Sequence, residues 1–62
     1  MVDPDEREVY FEFIKLGNAV KITAIDSATA VEVSVMGPGN AAQSDLERVA
    51  LRKLKARLER EG

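Results

Sequence analysis

Residues 9–25 read VYFEFIKLGNAVKITAI, and this stretch decides the fold. Two apolar, β-prone runs flank Gly17-Asn18. A two-residue loop with Gly first suits a type II′ turn, whose twist matches paired strands. With that loop Leu16 faces Ala19, Phe13 faces Ile22, Phe11 faces Ala24 and Lys15 faces Val20. Side chains alternate between the faces of a strand, so Phe11, Phe13, Val20, Ile22 and Ala24 collect on one side. A slip of one residue would set Phe13 against Lys21 or Thr23 and mix the faces. Turn chemistry and apolar pattern point independently to the same hairpin.

Downstream, Asp26-Ser27-Ala28-Thr29 is a second turn signal, because an Asp side chain bonds its own backbone nearby. Residues 30–36, AVEVSVM, alternate cleanly, with Val31, Val33 and Val35 on one side. A two-residue loop pairs Ala24 with Val31, and a four-residue loop pairs it with Val33. Either choice puts the valines on the Phe11/Phe13 face. Gly37-Pro38-Gly39 is expected to end this third strand. Capping-box spacing occurs at Asn40 to Gln43 and again at Ser44 to Glu47. The following helix, to about Arg60, has Leu46, Ala50, Leu54 and Leu58 on one stripe, with Arg48, Arg52 and Lys55 opposite.

The chain is therefore expected to be α+β, a three-stranded antiparallel meander followed by one C-terminal helix (β-β-β-α). Residues 1–7 are expected to form a disordered acidic tail, and residues 8–62 a single domain. The expected core is Phe11, Phe13, Val20, Ile22, Val31, Val33, Val35, Leu46, Ala50, Leu54 and Leu58.

Composition narrows the function. The 62 residues carry a net charge of −2, 45% hydrophobic residues, and no Cys or His. A chain this short supports one core. The absence of cysteine removes disulfides and thiolate metal sites. Without histidine, Ser27, Ser34 and Ser44 have no Ser–His triad to join. No apolar run approaches the roughly 20 residues that span a bilayer. The charged N-terminus is unlike a secretory signal, so the location expected is cytoplasmic. No catalytic residue, cofactor or metal site is expected, and the chain is read as a non-enzyme.

One helix covers one sheet face. The other face is expected to show Tyr10, Ile14, Leu16, Ile25 and Met36 among Glu12, Lys21, Thr23, Glu32 and Ser34. A large exposed apolar patch marks an interaction site, so this open face is the expected contact surface for a protein partner or a homodimer. Scattered apolar residues shielded by Lys and Glu stems are the plain alternative. A second reading is weak nucleic-acid binding through Arg48, Arg52 and Lys55, although acidic residues interrupt that ridge and the net charge opposes it. Gly37-Pro38-Gly39-Asn40 before a helix has the form of an anion loop, but an ordinary turn accounts for it. Asp26 with Thr29, and the pair Glu12 and Glu32, are candidate carboxylate sites with ordinary structural explanations.

At VYFEFIKLGNAVKITAID, EVSVMGP and DLERVALRKLKARL the chain resembles a family of small uncharacterised alphaproteobacterial proteins, over roughly residues 8–60. In that family the Asp26 turn often ends in Thr-Gly where this chain has Thr29-Ala30. The helix is often opened by Ser where this chain has Ala42, which leaves Asn40 as the expected cap. The resemblance implies the fold and the location, and brings no activity, cofactor or partner.

Overall fold

A computed structural model of the chain describes residues 8–61. Three strands, β1 (Val9–Leu16), β2 (Ala19–Asp26) and β3 (Glu32–Pro38), precede one helix, α1 (Gln43–Glu61). The strands form one antiparallel sheet in the order β1-β2-β3, giving the expected β-β-β-α fold. The expected acidic tail, residues 1–7, lies outside the described residues.

The first hairpin has the register read from the sequence, from Leu16↔Ala19 through Phe13↔Ile22 to Val9↔Asp26. Gly17 sits at φ 59°, the left-handed value that the first position of a II′ turn requires. The second hairpin takes the four-residue loop, so Ala24 pairs with Val33 and Ile22 with Val35. Asp26 holds this loop closed. Its buried carboxylate Oδ2 accepts from the Thr29 amide at 3.0 Å and from the Thr29 hydroxyl at 2.7 Å. The Ala30 amide donates to the Asp26 carbonyl at 2.8 Å, and Ala30 is forced to φ 63°.

β3 begins and ends two residues later than expected, at Glu32 and Pro38. Ala30 cannot be extended while left-handed, and Gly37 and Pro38 continue the pairing with Val20 and Ala19. Gly37 packs under Leu46 of the helix. A Cβ there would lie 2.8 Å from Leu46 Cδ2. Neither expected capping box opens α1. The Ala42 carbonyl accepts from the Asp45 and Leu46 amides, which makes Ala42 the N-cap.

The buried core is Val20, Ile22, Ala24, Val33, Ala50 and Leu54, with Val9, Val31, Val35, Leu46 and Leu58 partly buried against it. Helix and sheet match in length: 19 residues of helix rise about 28 Å, and an eight-residue strand spans about 26 Å. They do not match in width. A helix is about 10 Å across and strands are about 4.8 Å apart, so one helix covers about two strands. α1 follows β3 through a short connection and rests on β2 and β3. Phe11 and Phe13 are therefore corrected from core to surface. They lie on the helix side of the sheet but beside the helix, 39% and 46% exposed.

Candidate interaction surface

β1 is an edge strand, exposed from Tyr10 through Leu16 on both faces. Its helix-side face carries Phe11, Phe13 and Lys15, and its other face carries Tyr10, Glu12, Ile14 and Leu16. Five of the seven large hydrophobic residues exposed among the described residues belong to this one strand: Tyr10, Phe11, Phe13, Ile14 and Leu16. The others are Met36 and Val49.

The backbone of β1 has a second kind of exposure. Residues flanking a two-residue hairpin loop exchange both hydrogen bonds, and the pattern alternates along the strands. Leu16, Ile14, Glu12 and Tyr10 therefore bond inward to β2. The Glu8 carbonyl follows the same parity, accepting from the Ser27 amide at 3.0 Å. Val9, Phe11, Phe13 and Lys15 turn their N–H and C=O groups outward. This outer edge contains no proline.

The opposite edge, on β3, is blunted. The Asp26 amide donates to the Val31 carbonyl at 2.9 Å, so Val33, Val35 and Gly37 face inward and Glu32, Ser34, Met36 and Pro38 outward. Of those outward residues, Ser34 has its carbonyl capped by the Lys53 ammonium at 3.1 Å. Pro38 has no N–H to offer.

The five residues read from sequence as the contact face all lie on the side away from α1. Tyr10, Ile14, Leu16 and Met36 are exposed, and Ile25 is half-buried. They do not form one continuous patch. Thr23, 6% exposed, sits among them and shares a 2.9 Å hydrogen bond with Ser34. The apolar surface is concentrated instead on β1 and includes the two phenylalanines that sequence reasoning assigned to the core. The signal for them was available in the width of one helix against three strands. The Tyr10 hydroxyl donates to Glu8 Oε2 at 2.8 Å, and this bond to a carboxylate raises the phenol above its ordinary value of 10.0.

Arg48, Arg52 and Lys55 line one shallow groove together with Leu51, on the exposed side of α1. Glu12 and Glu32 do not meet. Glu12 lies across from Thr23, whose other neighbour is Ser34, while Glu32 lies across from Ile25. In the Gly37–Asn40 turn the Gly39 amide donates to the Asn18 carbonyl of the first hairpin at 2.7 Å, and just past it the Ala41 amide donates to the Pro38 carbonyl at 2.9 Å. Among the described residues no group of three or more His, Cys, Asp or Glu side chains is placed to hold a metal ion. Nor is any helix among them long and apolar enough to cross a membrane.

A family model described as a domain of unknown function (DUF6898) matches residues 6–61. No curated protein and no solved structure matches the chain.

Proposed function

The chain belongs to this family of unknown function, and we propose from its geometry that it is a non-enzymatic protein-interaction module whose working surface is β1. The observation that carries this reading is the concentration of exposed apolar side chains on a single edge strand. Edge strands with free donors and acceptors are templates for strand addition: main-chain bonds give affinity and alternate side chains give specificity. Ile25, across from Tyr10, extends the surface on the side away from α1, and Met36 lies one strand farther, beyond Lys21. The lack of His and Cys in the sequence and the separation of Glu12 from Glu32 support a role without catalysis.

The test is affinity capture from the native cell with the wild-type chain and with a Phe13→Glu/Ile14→Lys variant. The reading expects a stoichiometric partner on the wild type that the charged variant loses. Identical captured sets would overturn it.

A second reading is supported by one observation: Arg48, Arg52 and Lys55 line a common groove. In this reading the groove takes nucleic-acid phosphates. A net charge of −2 works against it. A salt-sensitive mobility shift on mixed nucleic acid, abolished by Arg48→Ala/Arg52→Ala, separates it from the first.

A further inference from the structure

From the two unlike edges of the sheet we infer that the occupant of β1 is a second copy of the chain. Two β1 strands pair antiparallel about a two-fold axis through Phe13 and make one six-stranded sheet. This rests on the reading of β1 as the working surface and commits it to one partner. The β3 edge is blunted by Lys53 on the Ser34 carbonyl and by Pro38, so β1 is the better edge of each copy for strand addition. Joining the two β1 edges consumes both, which gives a closed dimer and not a fibre.

Parity and charge fix the register. The outward residues Val9, Phe11, Phe13 and Lys15 must pair with outward residues. Two symmetric registers then overlap β1 equally and more than any other. One is centred on Glu12 and sets Glu12 directly against Glu12 of the second copy. Like charges directly opposed across strands are destabilising. The other is centred on Phe13 and opposes no like charges. In it Phe13 meets Phe13 of the second copy, Phe11 meets Lys15, Glu12 meets Ile14 and Tyr10 meets Leu16. Lys15 then lies beside a phenylalanine ring, a favourable place for an ammonium. Glu12 points toward Ile14 of the second copy, whose neighbour on β2 is Lys21, so opposite charges approach across the seam.

The helices do not obstruct this pairing. Each rests on β2 and β3 of its own copy, so the two axes stand about 19 Å apart on the same face, from strand spacings of about 4.8 Å. The floor between them is Phe11 and Phe13 from both copies. Lys53 marks the β3 side of α1, and helical periodicity puts Leu51 and Leu58 on the opposite shoulder, toward β1. Pairing thus sets the four rings side by side in a groove walled by the two helices, where a single copy leaves its two rings at an open edge.

The natural absence of cysteine makes the test clean. Multi-angle light scattering on the purified chain is expected to give about twice 6.8 kDa, and Phe13→Glu is expected to give a monomer. Hydrogen-bonded antiparallel pairs place Cα atoms about 5.5 Å apart, inside the disulfide range of about 4.4–6.8 Å. Mild oxidation is therefore expected to link Phe13→Cys into covalent dimers and to leave Glu12→Cys unlinked. Should Phe13→Cys weaken pairing, a mixture of Phe11→Cys and Lys15→Cys chains provides an independent check, expected to form the mixed dimer. A wild-type monomer overturns self-pairing, as does a dimer that survives Phe13→Glu. Linking of Glu12→Cys but not Phe13→Cys overturns the register. If the wild type is a monomer while capture from the cell still depends on β1, self-pairing falls and the interaction module stands.

Discussion

The Lys53 ammonium reaches from α1 to the Ser34 carbonyl, 3.1 Å away, and caps the middle of the β3 edge. That contact makes the two edges of a small sheet unequal. Removing it should reopen β3. Lys53→Ala is expected to change folding stability by less than about 1 kcal/mol, because the bond is exposed to solvent. Its larger effect is on association, since a second open edge allows chains to add at both sides. Static light scattering against concentration should show species larger than a dimer for Lys53→Ala. Scattering identical to wild type would contradict the edge argument.

Ala30 carries backbone strain. It holds φ 63°, a conformation that costs a residue with a Cβ about 1–2 kcal/mol. Glycine removes that cost but gains freedom in the unfolded chain, worth about 0.4–1 kcal/mol. Ala30→Gly is expected to stabilise the fold by about 0.5–1 kcal/mol. Since about 1 kcal/mol moves Tm by about 4–8 °C in a domain of 60–100 residues, a thermal melt resolves it. Melts must be compared at one protein concentration, because association shifts Tm.

Ala42 is the N-cap of α1 and brings no side-chain acceptor to the free amides of the first turn. Ala42→Ser places a hydroxyl there with Asp45 three residues on, restoring a capping pair. A gain of about 0.5–2 kcal/mol is expected, read from urea unfolding as a higher midpoint at unchanged slope. No gain would mean that Ala42 is not the N-cap.

Two glycines separate soft contacts from hard ones. An added Cβ at Gly39 would lie 2.9 Å from the Asn18 carbonyl oxygen, and at Gly37 it would lie 2.8 Å from Leu46 Cδ2. Backbone at a tight turn cannot yield, whereas the end of a leucine side chain rotates. Overpacking costs about 1–3 kcal/mol. Gly39→Ala is expected near the top of that range and Gly37→Ala near the bottom, by urea titration. The reverse order would show that the Leu46 packing is the stiffer of the two.

Much of this fold was legible in the sequence, for reasons that differ by element. The first hairpin followed from Gly17 and from parity, since only one register keeps Phe13 against Ile22 and away from Lys21. The face of β3 was fixed by its alternating valines, but its register depended on whether Ala30 would turn left-handed, which no periodicity reveals. Periodicity also names a face without saying how much of it is covered. For that reason Phe11 and Phe13 read as core when they flank the helix, and Thr23 read as surface when it is buried between Glu12 and Ser34. The candidate contact residues lie on the side of the sheet away from α1, as their parity indicated. The concentration of exposed apolar side chains on β1 was hidden because the sequence pattern does not weigh one helix against three strands.

The most direct measurement of the central claim is amide hydrogen exchange along β1 as a function of protein concentration. In an isolated chain the outward amides of Phe11, Phe13 and Lys15 bond only to water and exchange quickly. Pairing of two β1 strands about Phe13 predicts that all three become protected together as concentration rises, and lose that protection in Phe13→Glu. Fast exchange of these three amides at every concentration, beside protected amides at Glu12 and Ile14, would contradict it.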